Sequence, residues 1–147
     1  ALRSEMEWVR AGGALRDARG RRDPVRTAAL RCEIELQDRE ARLRARWEKY
    51  EAGWRAIQAE DEGLAFADIP WPVDPPPADV ADLVRARIAA FLLEPLTIRG
   101  NTVARRDRIR ASLLRWHPDK VSLLLVRVRA EDAERVREGV YTVFRAL

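Results

Sequence analysis

The chain has 147 residues, enough for one or two small domains with a modest core, and 35% of these residues are charged. Its 28 basic and 24 acidic residues are interleaved and leave a net charge of +4, so we do not expect nucleic acid as a partner. The single cysteine, Cys32, and the single histidine, His117, exclude an internal disulfide framework and a His/Cys metal site, and we expect no cofactor.

Helix-forming residues dominate the sequence and prolines cluster in one stretch, which predicts an all-α fold. We expect a long helical hairpin with a coiled-coil-like helix over residues 1–62, a proline-rich strap over residues 63–77, and a compact helical unit over residues 78–147. No apolar run is long enough to span a bilayer and no signal-peptide pattern opens the chain, so we expect a cytoplasmic or nuclear protein without membrane contact. Because the chain begins with Ala1, we expect it to be a piece of a longer protein.

Residues 1–19 are predicted to form a first helix whose middle is weakened by two adjacent glycines, Gly12 and Gly13. The apolar side of this helix consists of Leu2, Met6, Val9 and Leu15. Residues 20–24 form a predicted break, in which Asp23 caps the next helix and a proline takes its first position. The alternative to this structural interpretation is that the exposed basic turn has a function of its own.

Residues 25–60 show the spacing of a long helix with a coiled-coil seam, ending near residues 61–63. The apolar positions, mostly three or four residues apart, are Val25, Ala29, Cys32, Leu36, Leu43, Trp47, Tyr50, Trp54 and Ile57. We expect this seam to pack on the first helix, on the C-terminal unit or on a partner chain. Its aromatic part, Trp47, Tyr50 and Trp54, is a candidate interface for a homo-oligomer or a larger assembly, since aromatic side chains carry much of interface energy.

The strap is too rich in proline to be helical and is predicted to be extended. It also carries four large apolar side chains, those of Phe66, Ile69, Trp71 and Val73. A flexible linker has little use for such residues, so we expect them to dock on the helices and to join the long helix to the C-terminal unit. The alternative is that the strap is a proline-rich ligand for a domain that binds polyproline helices.

Four helices are predicted in the C-terminal unit, over residues 79–93, 101–116, 121–128 and 133–147. A strand over residues 123–128 is the alternative to the third helix. The inward-facing residues predicted for the second helix are Val103, Ile109, Leu113, Leu114 and Trp116, and those predicted for the last helix are Ala133, Val136, Val140, Val143, Phe144 and Leu147.

The tripeptide His117-Pro118-Asp119 is predicted to end the second of these helices, because proline lacks an N–H and pushes the preceding residue out of helical geometry. An arginine-rich helix, this tripeptide and a following helix resemble the J domain of DnaJ-type cochaperones over about residues 78–147. The resemblance implies a helical hairpin that binds a DnaK-type chaperone through His117, Pro118, Asp119, Arg106, Arg110 and Lys120. The purely structural alternative is that His117 caps the end of the helix and that Asp119 pairs with Arg115 or Lys120.

Two departures from the J-domain pattern are visible: a third basic position is occupied by Ala111, and residues 121–128 are apolar where the family has a polar loop. The arrangement also resembles the J-like region of NF-kappa-B-inhibitor-like proteins and their fungal relatives, through residues 69–73 and 116–120. That resemblance implies a scaffold, for example in a nuclear RNA-processing assembly. Ser112 and Ser122 flank the tripeptide without a glycine-rich oxyanion turn, so we do not expect an enzyme.

From these features we expect a non-enzymatic J-like protein-interaction or scaffold module within a larger protein or complex. The alternative is a J-domain cochaperone that binds a DnaK-type chaperone and stimulates its ATPase.

Overall fold

The computed structural model describes residues 2–59 and 63–147, and the fold over these residues is all-α, as predicted. The α-helices are α1 Leu2–Arg10, α2 Pro24–Ala59, α3 Arg85–Leu93, α4 Arg105–Arg115, α5 Pro118–Leu125 and α6 Ala133–Ala146. Single 3-10 turns lie at Phe66–Asp68, Val80–Asp82, Glu94–Thr97 and Ala130–Asp132. None of the helices in these two ranges is long and apolar enough to cross a membrane.

The chain divides into two compact units, residues 1–42 and residues 43–147, with the division inside α2. The long helix predicted over residues 25–60 is confirmed as α2. The stop predicted at residues 61–63 includes Asp61 and Glu62, which lie outside the described residues. The strap and residues 78–147 both belong to the second unit.

The first helix is shorter than predicted, since α1 ends at Arg10 and not at residue 19. The cause is Gly12, whose φ of 101° lies in the left-handed region that glycine tolerates. The Gly12 N–H donates to the Val9 carbonyl and the Gly13 N–H donates to the Trp8 carbonyl. These two bonds form a Schellman motif, which satisfies the last carbonyls and terminates the helix.

The start of α2 agrees with the prediction. Pro24 is the first helical residue, and the Asp23 carboxylate accepts a hydrogen bond of 3.1 Å from the Arg26 N–H. Two ion pairs join α1 to α2: Glu5 pairs with Arg26 at 3.0 Å, and Arg10 pairs with Asp38 at 2.9 Å. The residue that comes first on α1 thus pairs with the residue that comes first on α2. The two helices therefore run side by side in the same direction, and residues 11–23 return the chain to the start of α2.

The prediction of a buried seam is wrong for its N-terminal half, because these side chains face solvent. Val25 is 78% exposed, and Ala29, Cys32 and Leu36 are exposed as well. The small core of the first unit instead consists of Val9, Leu15 and Ile34, with Met6 and Leu30 against it. The apolar stripe that α1 covers is therefore a different face of α2, one that periodicity alone did not identify.

In the second unit, the strap packs into the core as predicted. Its four large apolar side chains, those of Phe66, Ile69, Trp71 and Val73, are each at most 5% exposed. The Trp71 indole N–H donates to the Phe66 carbonyl at 2.9 Å. On α6 a Cβ at Gly139 would lie 2.6 Å from the Trp71 ring, so this glycine makes room for the tryptophan.

The core of the second unit is built around aromatic rings from α2, the strap, α3 and the end of α4. Trp116 is fully buried, stacks on Trp71 with ring centroids 5.4 Å apart, and meets Trp54 edge to face at 5.1 Å. Tyr50 packs edge to face on Phe91 at 5.1 Å and accepts a hydrogen bond of 3.2 Å from the Trp116 indole. These contacts bury the aromatic half of the seam inside the unit.

The prediction that Trp47, Tyr50 and Trp54 are available as a partner interface is therefore corrected. Tyr50 and Trp54 are 5% and 9% exposed, and the half-buried Trp47 is covered by the Arg108 guanidinium, 3.7 Å from its ring centroid. The chain's own α3 and α4 take the place that a partner was expected to occupy.

The helices of the C-terminal unit differ from the predictions mainly at their starts. The helix predicted over residues 79–93 is interrupted at Leu83 and Val84, so α3 begins at Arg85. Helix α4 also begins later than expected, at Arg105, and Val103 before it is 40% exposed rather than inward. The third helix is confirmed as α5, and α6 matches its prediction closely. Over residues 123–128, only Val128 forms a bridge, with Leu64.

Candidate functional site

The His-Pro-Asp turn directly follows a fully buried residue of the second unit, Trp116. Helix α4 ends at Arg115, and the next residue, Trp116, lies fully buried among the core rings. The Arg115 guanidinium donates to both carboxylate oxygens of Glu51, at 3.2 and 3.0 Å. It also lies over the rings of Tyr50 and Trp54. The position of the turn is thus fixed by contacts between Arg115 and α2.

His117 has the extended backbone that a residue before proline prefers, with φ −62° and ψ 135°. Its Nδ1 accepts a hydrogen bond of 3.2 Å from the Asp119 N–H, so His117 caps the start of α5. The proposed cap at the end of α4 is therefore wrong, because the ring points to the following helix. The imidazole also meets Phe144 of α6 edge to face, with centroids 5.7 Å apart.

Asp119 presents its carboxylate to solvent, since 92% of its side chain is exposed. Its Oδ2 lies 3.7 Å from His117 Nδ1. The ion pair between Asp119 and Arg115 that the purely structural alternative predicts does not form, because Arg115 is held by Glu51. The Ser122 hydroxyl donates to the Asp119 carbonyl at 2.8 Å and so belongs to the first turn of α5.

The arginines of α4 divide into two sets. Arg108 and Arg115 point inward, and burial lowers the pKa of Arg108, whose Nη1 donates to the Leu92 carbonyl at 3.1 Å. Arg106 and Arg110 are exposed and lie one turn apart on one face of α4. Neither of these two forms an ion pair within the described ranges, and the same is true of the exposed Lys120.

Three apolar side chains on α4, on α5 and directly after α5 are exposed. Leu114 on α4 is 54% exposed, although it was predicted to face inward, while Leu123 on α5 and Val126 just after it are 73% and 83% exposed. The latter two were missed as functional candidates. They lie off the buried stripe of α5 that contains Val121 and Leu124, and an apolar residue outside such a stripe is the feature that could have identified them.

The segment after the tripeptide is packed rather than open. Val121 and Leu124 are 2% and 7% exposed, and α5 lies against α6. Over residues 2–59 and 63–147, no three His, Cys, Asp or Glu side chains are grouped closely enough to hold a metal ion. Ser112 is buried in α4, away from solvent.

Comparison of the chain with protein-family models, with curated proteins and with solved structures finds no match.

Proposed function

We propose that the second unit is a non-enzymatic, J-like protein-interaction module that holds a protein partner within a larger cytoplasmic or nuclear assembly. The surface concerned, here called the turn surface, consists of Arg106, Arg110, Leu114, His117, Pro118, Asp119, Lys120, Leu123 and Val126. The observation that carries the proposal is the difference in burial between two residues three positions apart. Trp116 is fully buried, while 92% of the Asp119 side chain is exposed.

Rigid anchoring favours binding because little conformational entropy is lost when a partner docks on a preformed surface. The hydrogen bond from Trp116 to Tyr50, the pairing of Arg115 with Glu51 and the cap made by His117 all restrict the turn. A partner would therefore meet a fixed arrangement of side chains.

The chemistry of the turn surface fits an acidic protein partner with an apolar centre. Exposed Leu123 and Val126 offer apolar area that a partner can remove from water. Arg106, Arg110 and Lys120 would steer and orient an acidic surface, which affects specificity and association rate more than affinity. We therefore expect the apolar pair to supply most of the binding energy.

The alternative function is that of a cochaperone which binds a DnaK-type chaperone and stimulates its ATPase. The exposure of the Asp119 carboxylate favours it, because that group is accessible to an arginine of a partner. The packed α5 and the absence of a basic residue at Ala111 favour the scaffold, because the former replaces a mobile loop and the latter removes one docking charge.

Two variants of matched chemistry test the scaffold. Val126→Ser changes the turn surface, whereas Val25→Ser changes an equally exposed valine on α2, in the first unit. Proteins that co-purify with the tagged wild-type chain should be lost with Val126→Ser and retained with Val25→Ser. Equal retention by both variants would remove the turn surface from the proposal.

Single-turnover ATPase of a DnaK-type chaperone separates the two functions. The scaffold predicts no stimulation by the wild-type chain, by Asp119→Asn or by the control Asp74→Asn, which alters an exposed carboxylate of the strap. Stimulation by the wild type and by Asp74→Asn, abolished in Asp119→Asn, would establish the cochaperone instead.

A further inference from the structure

The first unit contains an open cavity of about 750 Å³ that the proposed function does not use. It is lined by Trp8, by residues 11–15 and by three arginines, Arg16, Arg22 and Arg31. Its volume lies within the range of about 300–1,000 Å³ that is usual for ligand sites. The lining thus combines an exposed tryptophan with three arginines.

Trp8 is held as a fixed and exposed aromatic surface. Its side chain is 59% exposed, yet its indole N–H donates to the Ala14 carbonyl at 3.0 Å, which sets the ring orientation. One side of the ring lies directly against Gly13, where a Cβ atom would approach the ring to 2.2 Å. The glycine thus supports the ring from one side, and a planar ligand can stack from solvent.

The three arginines of the cavity come from two parts of the chain. Arg16 and Arg22 face each other across an isolated antiparallel bridge, and Arg31 is on α2. The turn between the bridged residues is shaped by Asp17, whose carboxylate accepts hydrogen bonds from two N–H groups of the turn. This turn overlaps the basic segment, residues 20–24, for which the sequence left a functional role open.

None of the three arginines has an acidic partner among the residues that the structure describes. Two acidic groups of the same unit are already engaged elsewhere, Glu5 by Arg26 and Asp38 by Arg10. The Arg16 guanidinium uses one nitrogen to donate to the Gly20 carbonyl and keeps further N–H donors for a ligand. The cavity is therefore lined by three arginines that form no ion pair within the described part of the protein.

We propose that this cavity binds single-stranded nucleic acid, with one base stacked on Trp8 and the adjacent phosphates bound by Arg16, Arg22 and Arg31. Guanidinium groups match phosphate oxygens in planar, two-pronged geometry, and base stacking on aromatic rings is the usual means of holding single strands. Stacking on one face of Trp8 requires an unpaired base. A single strand is favoured over a free nucleotide because the cavity is open and two more exposed arginines, Arg19 and Arg21, lie on the turn that joins Arg16 to Arg22.

A nucleic-acid site in the first unit lies outside the function proposed for the second unit and differs from the expectation drawn from composition. Basic and acidic residues are nearly balanced over the whole chain, but average charge does not show which charges are neutralised by neighbours. In the first unit Glu5 and Asp38 are paired with other arginines, whereas the three arginines of the cavity form no ion pair among the described residues.

The test is fluorescence anisotropy of a labelled single strand of about ten nucleotides, at about 50 mM salt, with the full chain. Trp8→Ala should weaken binding about tenfold or more, whereas Trp8→Phe, which keeps an aromatic ring, should retain most of it. Arg31→Gln should also weaken binding and reduce the salt dependence by about one phosphate contact. The control Arg42→Gln removes the same charge from an exposed position of α2 outside the cavity and should bind like the wild type.

Competitors distinguish the ligand sources. An unlabelled single strand should displace the probe at far lower concentration than either a mononucleotide or inorganic tripolyphosphate. Displacement by the mononucleotide at a similar concentration would overturn the single strand as the ligand and indicate a free nucleotide instead. Unchanged binding in Trp8→Ala, or equal loss in Arg31→Gln and Arg42→Gln, would overturn the site and leave only general charge attraction.

Discussion

Replacing Trp116 with alanine tests whether the turn surface depends on the aromatic core. Trp116 is fully buried, its ring contacts those of Trp71 and Trp54, and its indole N–H donates to Tyr50. Removing a buried tryptophan usually costs about 3–5 kcal/mol, since the cavity collapses only in part. The Tyr50 hydroxyl also loses its donor within the core.

The expected loss is large relative to the stability of the protein. Domains are typically stable by about 5–15 kcal/mol, so Trp116→Ala removes a substantial fraction. For a unit of about 100 residues, each kcal/mol lowers the melting temperature by about 4 °C, and the total shift should be about 12–20 °C. Trp116→Phe keeps most of the volume and should cost only about 1–3 kcal/mol, mainly from the unsatisfied Tyr50 hydroxyl.

The assay is thermal and urea unfolding followed by near-UV circular dichroism, which reports packed aromatic rings. Trp8→Ala is the matched control, because it removes the same side chain from a position that is 59% exposed, and it should cost only about 1 kcal/mol, mainly from the lost bond to the Ala14 carbonyl. Melting temperatures for Trp116→Ala and Trp8→Ala that agree within about 2 °C would refute the argument, since that interval corresponds to about 0.5 kcal/mol.

Two further predictions concern α2 and α4. Arg108→Gln should lower the free energy of unfolding in urea by about 1–2 kcal/mol, because it removes the contact with the Trp47 ring and the bond to the Leu92 carbonyl. Arg106→Gln, on the exposed face of the same helix, should change it by less than about 0.5 kcal/mol, and equal effects would contradict this division. Burial raises the pKa of Tyr50, while weaker effects of Trp116 and Arg115 oppose the shift, so stability should fall as pH rises above the unfolded value of about 10. Tyr50→Phe should reduce that fall, and identical pH profiles for the variant and the wild type would show that Tyr50 does not cause it.

Local sequence was sufficient for most helices and for the backbone of the turn. Asp23 and Pro24 predicted the start of α2, and the stripe containing Val136 and Val140 predicted α6. Pro118 predicted the extended conformation of His117. These features depend on hydrogen bonds and steric contacts within a few residues, so a single sequence contains the information needed to predict them.

Boundaries were less predictable where two local preferences compete. Gly12 could have been tolerated inside a helix at a cost of about 1 kcal/mol, but in the fold it ends α1 through a Schellman motif. Likewise, Leu83 and Val84 continue an apolar pattern, and yet their own backbone is not helical, so α3 begins only at Arg85. Packing against the rest of each unit decided between nearly equal alternatives.

Only the tertiary structure decided which apolar face of α2 is covered and by what. Val25 and Tyr50 belong to one heptad pattern, but Val25 faces solvent whereas Tyr50 lies under Phe91 and Trp116. The same holds for Trp8 and Arg31, which line one cavity although 23 residues separate them in sequence. Periodicity describes one helix at a time, whereas burial depends on contacts between residues distant in the chain, and those contacts exist only after folding.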